Sequence, residues 1–255
     1  GFNRSPSPSL FQLMPDAYIS MGITAENVAS RLNISRKRQE EFALNSHNKA
    51  IEAKSNGYFR DEVASITIPE THEEIGHDFD GCMRESSLES MARLKPAFSN
   101  DGVVTAATSS PLTDGSSFSL IASQKAVNEF NLIPMAKIVS AAIAGVHPDE
   151  MGLGPIPSTR LALKRAGLSI EDLDVIELNE AFSSQSLACI DELNLPIEKI
   201  NIDGGAIALG HPLGASGARI VGKTASLLQR NGGKYGLATM CIGGGMGIAT
   251  ILERV

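Results

Sequence analysis

Hydrophobic and polar positions divide this chain into two parts of different grain. Residues 22 to 56 read as helical from their start and stop signals. Thr24, with Asn27 three residues on, offers one N-cap, and Ser35 offers another ahead of RKRQEEFALNSHNKAIEAKSN, with Gly57 as the stop. DEVASITIP alternates as a strand and ends at Pro69, and residues 70 to 101 are polar and mixed, with His72 and His77 read as loop residues rather than a metal pair. After GVVTAATSSPLTDG the apolar run FSLIAS predicts a strand and QKAVNEF a helix. From AKIVSAAIAGV onward strands and helices alternate regularly, the pattern of βαβ units.

In the second part Ser158 reads as the N-cap of STRLALKRAG and Gly167 as its stop. DVIEL is a short buried strand that runs through a polar tip into the helix EAFSSQSLACIDELN. INIDGGAIALG leads through GHPLGASG into a helix from about Ser216, where Ile220, Val221, Thr224, Leu227 and Leu228 share one face before Asn231, Gly232 and Gly233 end it. KYGLATMC and IATILERV read as two strands joined by the glycine-rich turn IGGGMG. A layered α/β unit is therefore expected over residues 135 to 255.

Composition narrows the function. The 255 residues are 42% hydrophobic and 20% charged, as in a folded globular protein. No stretch approaches the roughly 18 consecutive apolar residues of a membrane span, and the opening GFNRSPSPSLFQLMPDAY lacks the apolar core of a signal peptide. That opening has loop composition, so the chain is expected to begin inside a connection. Cys82, Cys189 and Cys241 are too scattered for a disulfide framework or a zinc site, which fits a reducing compartment. A formal charge of −7 argues against a nucleic-acid platform and leaves small-molecule chemistry.

GARIVGKT at 217 to 224 has the letter pattern of a phosphate-binding loop, with Lys223 and Thr224 in the phosphate and magnesium positions. It lies inside the predicted amphipathic helix, where the N–H groups are already used, so it is read as helix. The triplets at Asn3 and Asn33 match glycosylation acceptors and, without an export signal, are read as coincidence. More informative are polar groups at glycine-softened tips: Asn179 and Glu180 after DVIEL, His211 in ALGHPLGASG, and Cys241 before three glycines. A thiol beside a histidine and accessible amides suits acyl transfer or carbanion formation.

NEAF at 179 to 182, GGAIALGHPLGASGAR at 204 to 219 and MCIGGGMGIA at 240 to 249, in this order, resemble the thiolase family, close to its 3-ketoacyl-CoA thiolase and acetyl-CoA acetyltransferase members. YISMGITAEN, SRKRQEEFALNSHNKA, LKPAF, DGVVTAATSSPLTDG and MGLGPIPSTRLAL also look like thiolase segments. The resemblance implies an α/β thiolase fold: a layered α/β/α half with a mixed five-stranded sheet, preceded by a helix-rich loop domain. Residues 1–115 would be the loop domain, 116–134 the last segment of the N-terminal half and 135–255 the C-terminal half.

By the same resemblance His211 activates the nucleophilic cysteine, Cys241 moves the proton of the α-carbon, Asn179 fixes a water in one oxyanion hole, and Gly243 donates its N–H to another. Ser110, Met21, Met151 and Phe182 would line the channel for the pantetheine of coenzyme A. Coenzyme A is implied as substrate, with no cofactor and no metal. The nucleophilic cysteine would lie in an N-terminal half missing from this chain, possibly a separate polypeptide, leaving the chain alone inactive. A homo-oligomer (dimer or tetramer), a cytoplasmic location, and no nucleic acid or membrane span complete the expectation. The alternative is a non-catalytic module of thiolase fold that binds CoA or a partner.

Overall fold

The computed structural model describes residues 6–67, 69–72, 74–75 and 80–255, and no side chain of residues 74 and 75. His77 and the triplet at Asn3 lie outside the described residues. In chain order the elements are α1 (Pro8–Leu13), a 3-10 turn (Pro15–Tyr18), α2 (Met21–Arg31), α3 (Arg36–Ser55), the two-residue strands β1 (Ile66–Thr67) and β2 (Glu74–Ile75), α4 (Leu88–Ala92) and α5 (Gln124–Glu129). There follow β3 (Ala136–Gly145), a 3-10 stretch (Pro148–Leu153), α6 (Pro155–Ala166), β4 (Val175–Leu178), α7 (Ser183–Leu193), α8 (Ala206–Leu209), α9 (Leu213–Asn231), β5 (Tyr235–Ile242) and β6 (Met246–Arg254).

Two of the predicted caps are displaced. Ser35 caps α3 by accepting from the Arg38 N–H, as expected, and Gly167 closes α6 in the left-handed conformation. Thr24 and Ser158 do not cap. Each lies one turn inside its helix and returns its hydroxyl to a carbonyl, Thr24 to Met21 at 2.6 Å and Ser158 to Gly154 at 2.9 Å. Pro155, suited to a first turn by its fixed φ and missing N–H, starts α6 instead.

Among the described residues the main sheet is mixed and four-stranded, in the order β3-β6-β5-β4, with β4 parallel to β5 and the other pairs antiparallel. The expected fifth strand is reduced to one parallel bridge between Ile176 and Ile200. The reason lies next to it. Asn201 turns to φ +44°, and its side-chain amide accepts from the Leu178 N–H and donates to the Leu178 carbonyl, taking the place of a strand peptide. FSLIAS forms no strand either. Among the described residues no strand pairs with it, and a strand cannot satisfy its backbone alone, so Phe118 and Leu120 stand 94% and 82% exposed.

The sheet carries helices on both faces. Ile176, Leu178, Leu237 and Ile251 pack with Ile156 and Leu163 of α6 and Ile190 and Leu193 of α7. Val175 and Leu252 face Leu227 and Leu228 of α9. Successive residues of β4 thus enter opposite layers, the period-2 geometry of a strand covered on both sides. The helical first part docks on this unit through Val28 and Ile34 against Leu187 and Ala188, and through Ala50, Ala53 and Phe59 against Ala208 and Leu209.

GARIVGKT lies wholly within α9. Lys223 is 4% exposed, with its ammonium 2.5 Å from Asp203 and 3.0 Å from Glu62. It is a buried ion-pair partner, and the motif presents no phosphate cradle.

Candidate active site

Parallel pairing of β4 and β5 places their C-terminal ends side by side, where α/β proteins build their sites. The Asn179 N–H continues the ladder to the Thr239 carbonyl at 3.0 Å, two residues before Cys241. Asn179 therefore reaches the sheet edge with its backbone fixed and its side chain still available.

His211 arrives from a different element. Helix α8 ends at Gly210, whose φ of +93° turns the chain sharply, and a Cβ there would lie 2.8 Å from Thr113. Pro212 then caps α9. Between them the imidazole has two partners: Nε2 lies 3.3 Å from Asn179 Nδ2, and Nδ1 lies 2.7 Å from Ser216 Oγ. The Ser216 hydroxyl donates to the Pro212 carbonyl at 3.0 Å, so its oxygen accepts from His211 Nδ1–H. This assigns the Nδ1–H tautomer and leaves a lone pair on Nε2, which receives the Asn179 amide. Burial, and then the charge of Arg219, hold the His211 pKa below its usual value of 6.5, keeping the ring neutral.

Cys241, at the end of β5, is 5% exposed and packs with Met151 and Ala181, joined by Met21 and Phe182. Phe182 is held edge-on by Phe98 with centroids 5.8 Å apart. The Ser110 N–H donates to the Ala181 carbonyl at 3.0 Å. All four expected channel residues, Met21, Met151, Phe182 and Ser110, thus gather around the short segment from Ala181 to Phe182. Burial pushes the Cys241 thiol up to about 11, so it stands protonated at neutral pH. Gly243 follows in the β5–β6 turn, where a Cβ would meet nothing within 4 Å, and Gly244 and Gly245 take positive φ to close the hairpin.

The other two cysteines have different surroundings. Cys189 is buried in α7 with its thiol on the Gly152 carbonyl at 3.4 Å, and burial, followed by the charge of Cys241, raises its pKa strongly. Burial also raises the thiol of Cys82, followed by the charge of Asp80. Among the described residues Asp16, His147 and Asp149 form a group with ligand atoms within 4.8 Å of one another, and the His147–Asp149 bond accounts for its arrangement as an ion pair. No helix among these residues is long and apolar enough to cross a membrane.

Sequence reading passed over Ser216, which fixes the tautomer of His211, and the partners of Glu180. A hydroxyl five residues after a histidine, at the start of a helix, is the signal that could have pointed to Ser216.

The α/β sheet thus carries an amide–imidazole pair and a protonated thiol at its strand ends, and comparison with known proteins gives the family. The model "Thiolase, N-terminal domain" matches residues 10–125 and "Thiolase, C-terminal domain" matches residues 132–254. The chain belongs to the thiolase family. It is 48% identical over 258 residues to the 3-ketoacyl-CoA thiolase of Serratia proteamaculans, covering 97% of this chain and 66% of that protein. It is 44% identical over 245 residues to the acetyl-CoA acetyltransferase of Chromobacterium violaceum, covering 94% and 62%. The human mitochondrial 3-ketoacyl-CoA thiolase superimposes with a TM-score of 0.88 at 39% identity, over 100% of this chain and 66% of that one.

The chain thus spans just under two thirds of the length of these relatives. Because the N-terminal family model begins at residue 10, the chain carries its own portion of that domain. The comparisons give no support to an N-terminal half supplied as a separate polypeptide, nor to inactivity.

Proposed function

We propose that this chain belongs to an acyl-CoA C-acyltransferase that interconverts 3-ketoacyl-CoA plus CoA with acyl-CoA plus acetyl-CoA. The observation that carries the reading is the Asn179–His211 contact of 3.3 Å, with Cys241 on the adjoining strand among Met21, Met151 and Phe182. His211 Nε2 takes the proton of a thiol, and the resulting thiolate adds to the 3-keto carbon. When the carbon–carbon bond breaks, its electron pair passes to the α-carbon of the departing acetyl-CoA, and the Cys241 S–H supplies the proton. Its high pKa suits that direction. The Cys241 thiolate then takes the proton of incoming CoA, whose thiolate displaces the nucleophile from the acyl-enzyme to form acyl-CoA, and the freed thiolate recovers its proton from His211. Asn179, through a water, and the Gly243 N–H stabilise the oxyanions formed in turn.

The reading assigns the covalent nucleophile to none of Cys82, Cys189 and Cys241, and looks for it in residues of the protein beyond these 255. The division into a loop domain (1–115), the end of the N-terminal half (116–134) and the C-terminal half (135–255) belongs to the same proposal. So do CoA as substrate and a homo-oligomer, for which exposed Phe118, Leu120 and Ile133 offer apolar surface. The cytoplasmic location belongs to it as well.

The test is denaturing intact mass spectrometry after exposure to acetyl-CoA, paired with thiolysis of a 3-ketoacyl-CoA by the protein containing this chain. The expected result is an acetyl adduct outside residues 1–255 and loss of thiolysis in His211→Ala. An adduct on Cys82, Cys189 or Cys241, or full activity of His211→Ala, would overturn the reading.

A further inference from the structure

Glu180, one residue beyond Asn179, is 2% exposed and carries more hydrogen bonds than a packing residue needs. Its Oε2 accepts from Ser46 Oγ at 2.6 Å and from the Ile207 N–H at 3.2 Å, and its Oε1 accepts from Asn201 Nδ2 at 2.8 Å. All three are donors, so the site is built for the carboxylate. Burial holds the pKa of this group above its usual value, against the opposing pull of the bonds from Ser46, Asn201 and Ile207 and the charge of Lys49.

The donors come from elements far apart in sequence. Ser46 belongs to α3 of the helical first part, and its oxygen in turn accepts from the Gly205 N–H at 3.0 Å. The Asn201 amide spends its other hydrogen on the Leu178 carbonyl, at the end of the strand that delivers Asn179. Ile207 lies in the first turn of α8, the four-residue helix that leads into Gly210 and His211. The fit is close at Gly205, where a Cβ would lie 2.1 Å from Glu180 Cδ. A single carboxylate thus ties the tip bearing Asn179, the helix preceding His211, and α3.

We infer that Glu180 is a positioning residue: by gripping α8 and the 201–205 loop against the Asn179 tip, and with Ser46 anchoring the grip to α3, it sets the Asn179–His211 contact. Helix α8 is too short to hold itself in place, since one turn in water is unstable without tertiary support. The Glu180 bonds to its first turn, made directly to Ile207 and through Ser46 to Gly205, supply that support. Asn179 cannot shift away from His211 without moving its neighbour Glu180, and Glu180 cannot move without leaving three donors unpaired.

The kinetic arm of the test rests on the proposed thiolysis, and the spectroscopic arm does not. Glu180→Gln preserves shape but turns one acceptor into a donor facing donors, and Ser46→Ala removes one donor from α3, an element that carries neither Asn179 nor His211. In the unaltered chain the ¹⁵N spectrum of His211 should show the Nδ1–H tautomer. In both variants it should move toward mixed tautomers, more so in Glu180→Gln. Where thiolysis is measurable, kcat should fall by about 100-fold in Glu180→Gln with KM within a few-fold, the scale expected of a small misplacement of reacting groups. A His211 spectrum unchanged in Ser46→Ala and in any folded Glu180→Gln would overturn the inference, as would a loss of thermal stability with kcat intact. Absence of thiolysis in the unaltered protein would count against the proposed function alone, because the His211 spectra would still decide the role of Glu180.

Discussion

Replacing Lys223 with methionine keeps the length of the side chain and removes its charge. Lys223 Nζ lies 2.5 Å from Asp203, 3.0 Å from both oxygens of Glu62 and 4.7 Å above the centre of the Phe59 ring, and both Lys223 and Asp203 are nearly inaccessible. Removing one partner of a buried pair costs about 3–5 kcal/mol, because the remaining charge is left uncompensated. Here the loss is partial. Arg230 also grips Asp203 through two bonds of 2.7 Å, and Glu62 is exposed enough to turn toward water. The expected cost of Lys223→Met is therefore at the lower end, about 3 kcal/mol, and for a chain of this length it should lower Tm by about 6–12 °C.

Asp203→Asn should cost at least as much, since it takes the same carboxylate from two cations, leaving Arg230 without this partner and Lys223 with Glu62 alone. The double variant should cost less than the sum of the singles, because the two changes remove one shared interaction. Thermal and urea unfolding followed by circular dichroism at neutral pH would measure all three. A Tm within a degree of the unaltered protein for Lys223→Met, or strict additivity in the double variant, would refute the assignment. Loss of ATP binding on this substitution would restore the phosphate-loop reading of GARIVGKT that the helix argues against.

Three further outcomes are expected. His47 is buried with neither ring nitrogen bonded, and burial, then the charge of Arg84, lower its pKa from 6.5 to about 4. The unfolded chain binds this proton first, so stability is complete above about pH 6.5 and falls by about 3 kcal/mol as the pH drops toward 4; unfolding across that window should lose this slope in His47→Leu, and an unchanged slope would refute it. Under a thiol-alkylating reagent followed by mass spectrometry, partly exposed Cys82 should react first and Cys189 only after denaturation, whereas early labelling of Cys189 would contradict its burial. Gly247→Ala would place a methyl 2.0 Å from the Gly154 carbonyl carbon, a backbone clash, and should destabilise by about 1–3 kcal/mol or more in urea unfolding; a neutral substitution would show that β6 and the start of α6 can separate.

Much of the site was legible along the chain, because its polar groups sit at tips marked by glycine and proline and followed by strong helix or strand patterns. Asn179, His211 and Cys241 stand out for that reason; the parallel pairing of β4 and β5 sets Asn179 and Cys241 at neighbouring strand ends, and the turn after α8 brings His211 to Asn179. Helix stops were readable from glycine, as at Gly167, since a left-handed residue is a local requirement. N-caps were less so. Thr24 and Ser158 have the side chain of a cap, yet the helices begin a turn earlier, with Ser20 at the cap position of α2 and Pro155 opening α6.

What the sequence by itself determined are the features whose physics is local: the alternation of β and α, the amphipathic face of α9, the glycine turns, and the chemistry at each tip. Tertiary structure alone decided those that depend on distant neighbours. FSLIAS has strand composition but, among the described residues, no strand beside it. Ile200 begins a fifth strand that the Asn201 amide ends after one bridge. Ser46 and Glu180 are 134 residues apart in sequence, and only folding brings that hydroxyl onto that carboxylate and, through α8, steadies the histidine. A hydrogen bond between residues so far apart leaves no trace in local periodicity, because the separation is closed by the packing of whole helices and not by the residues themselves.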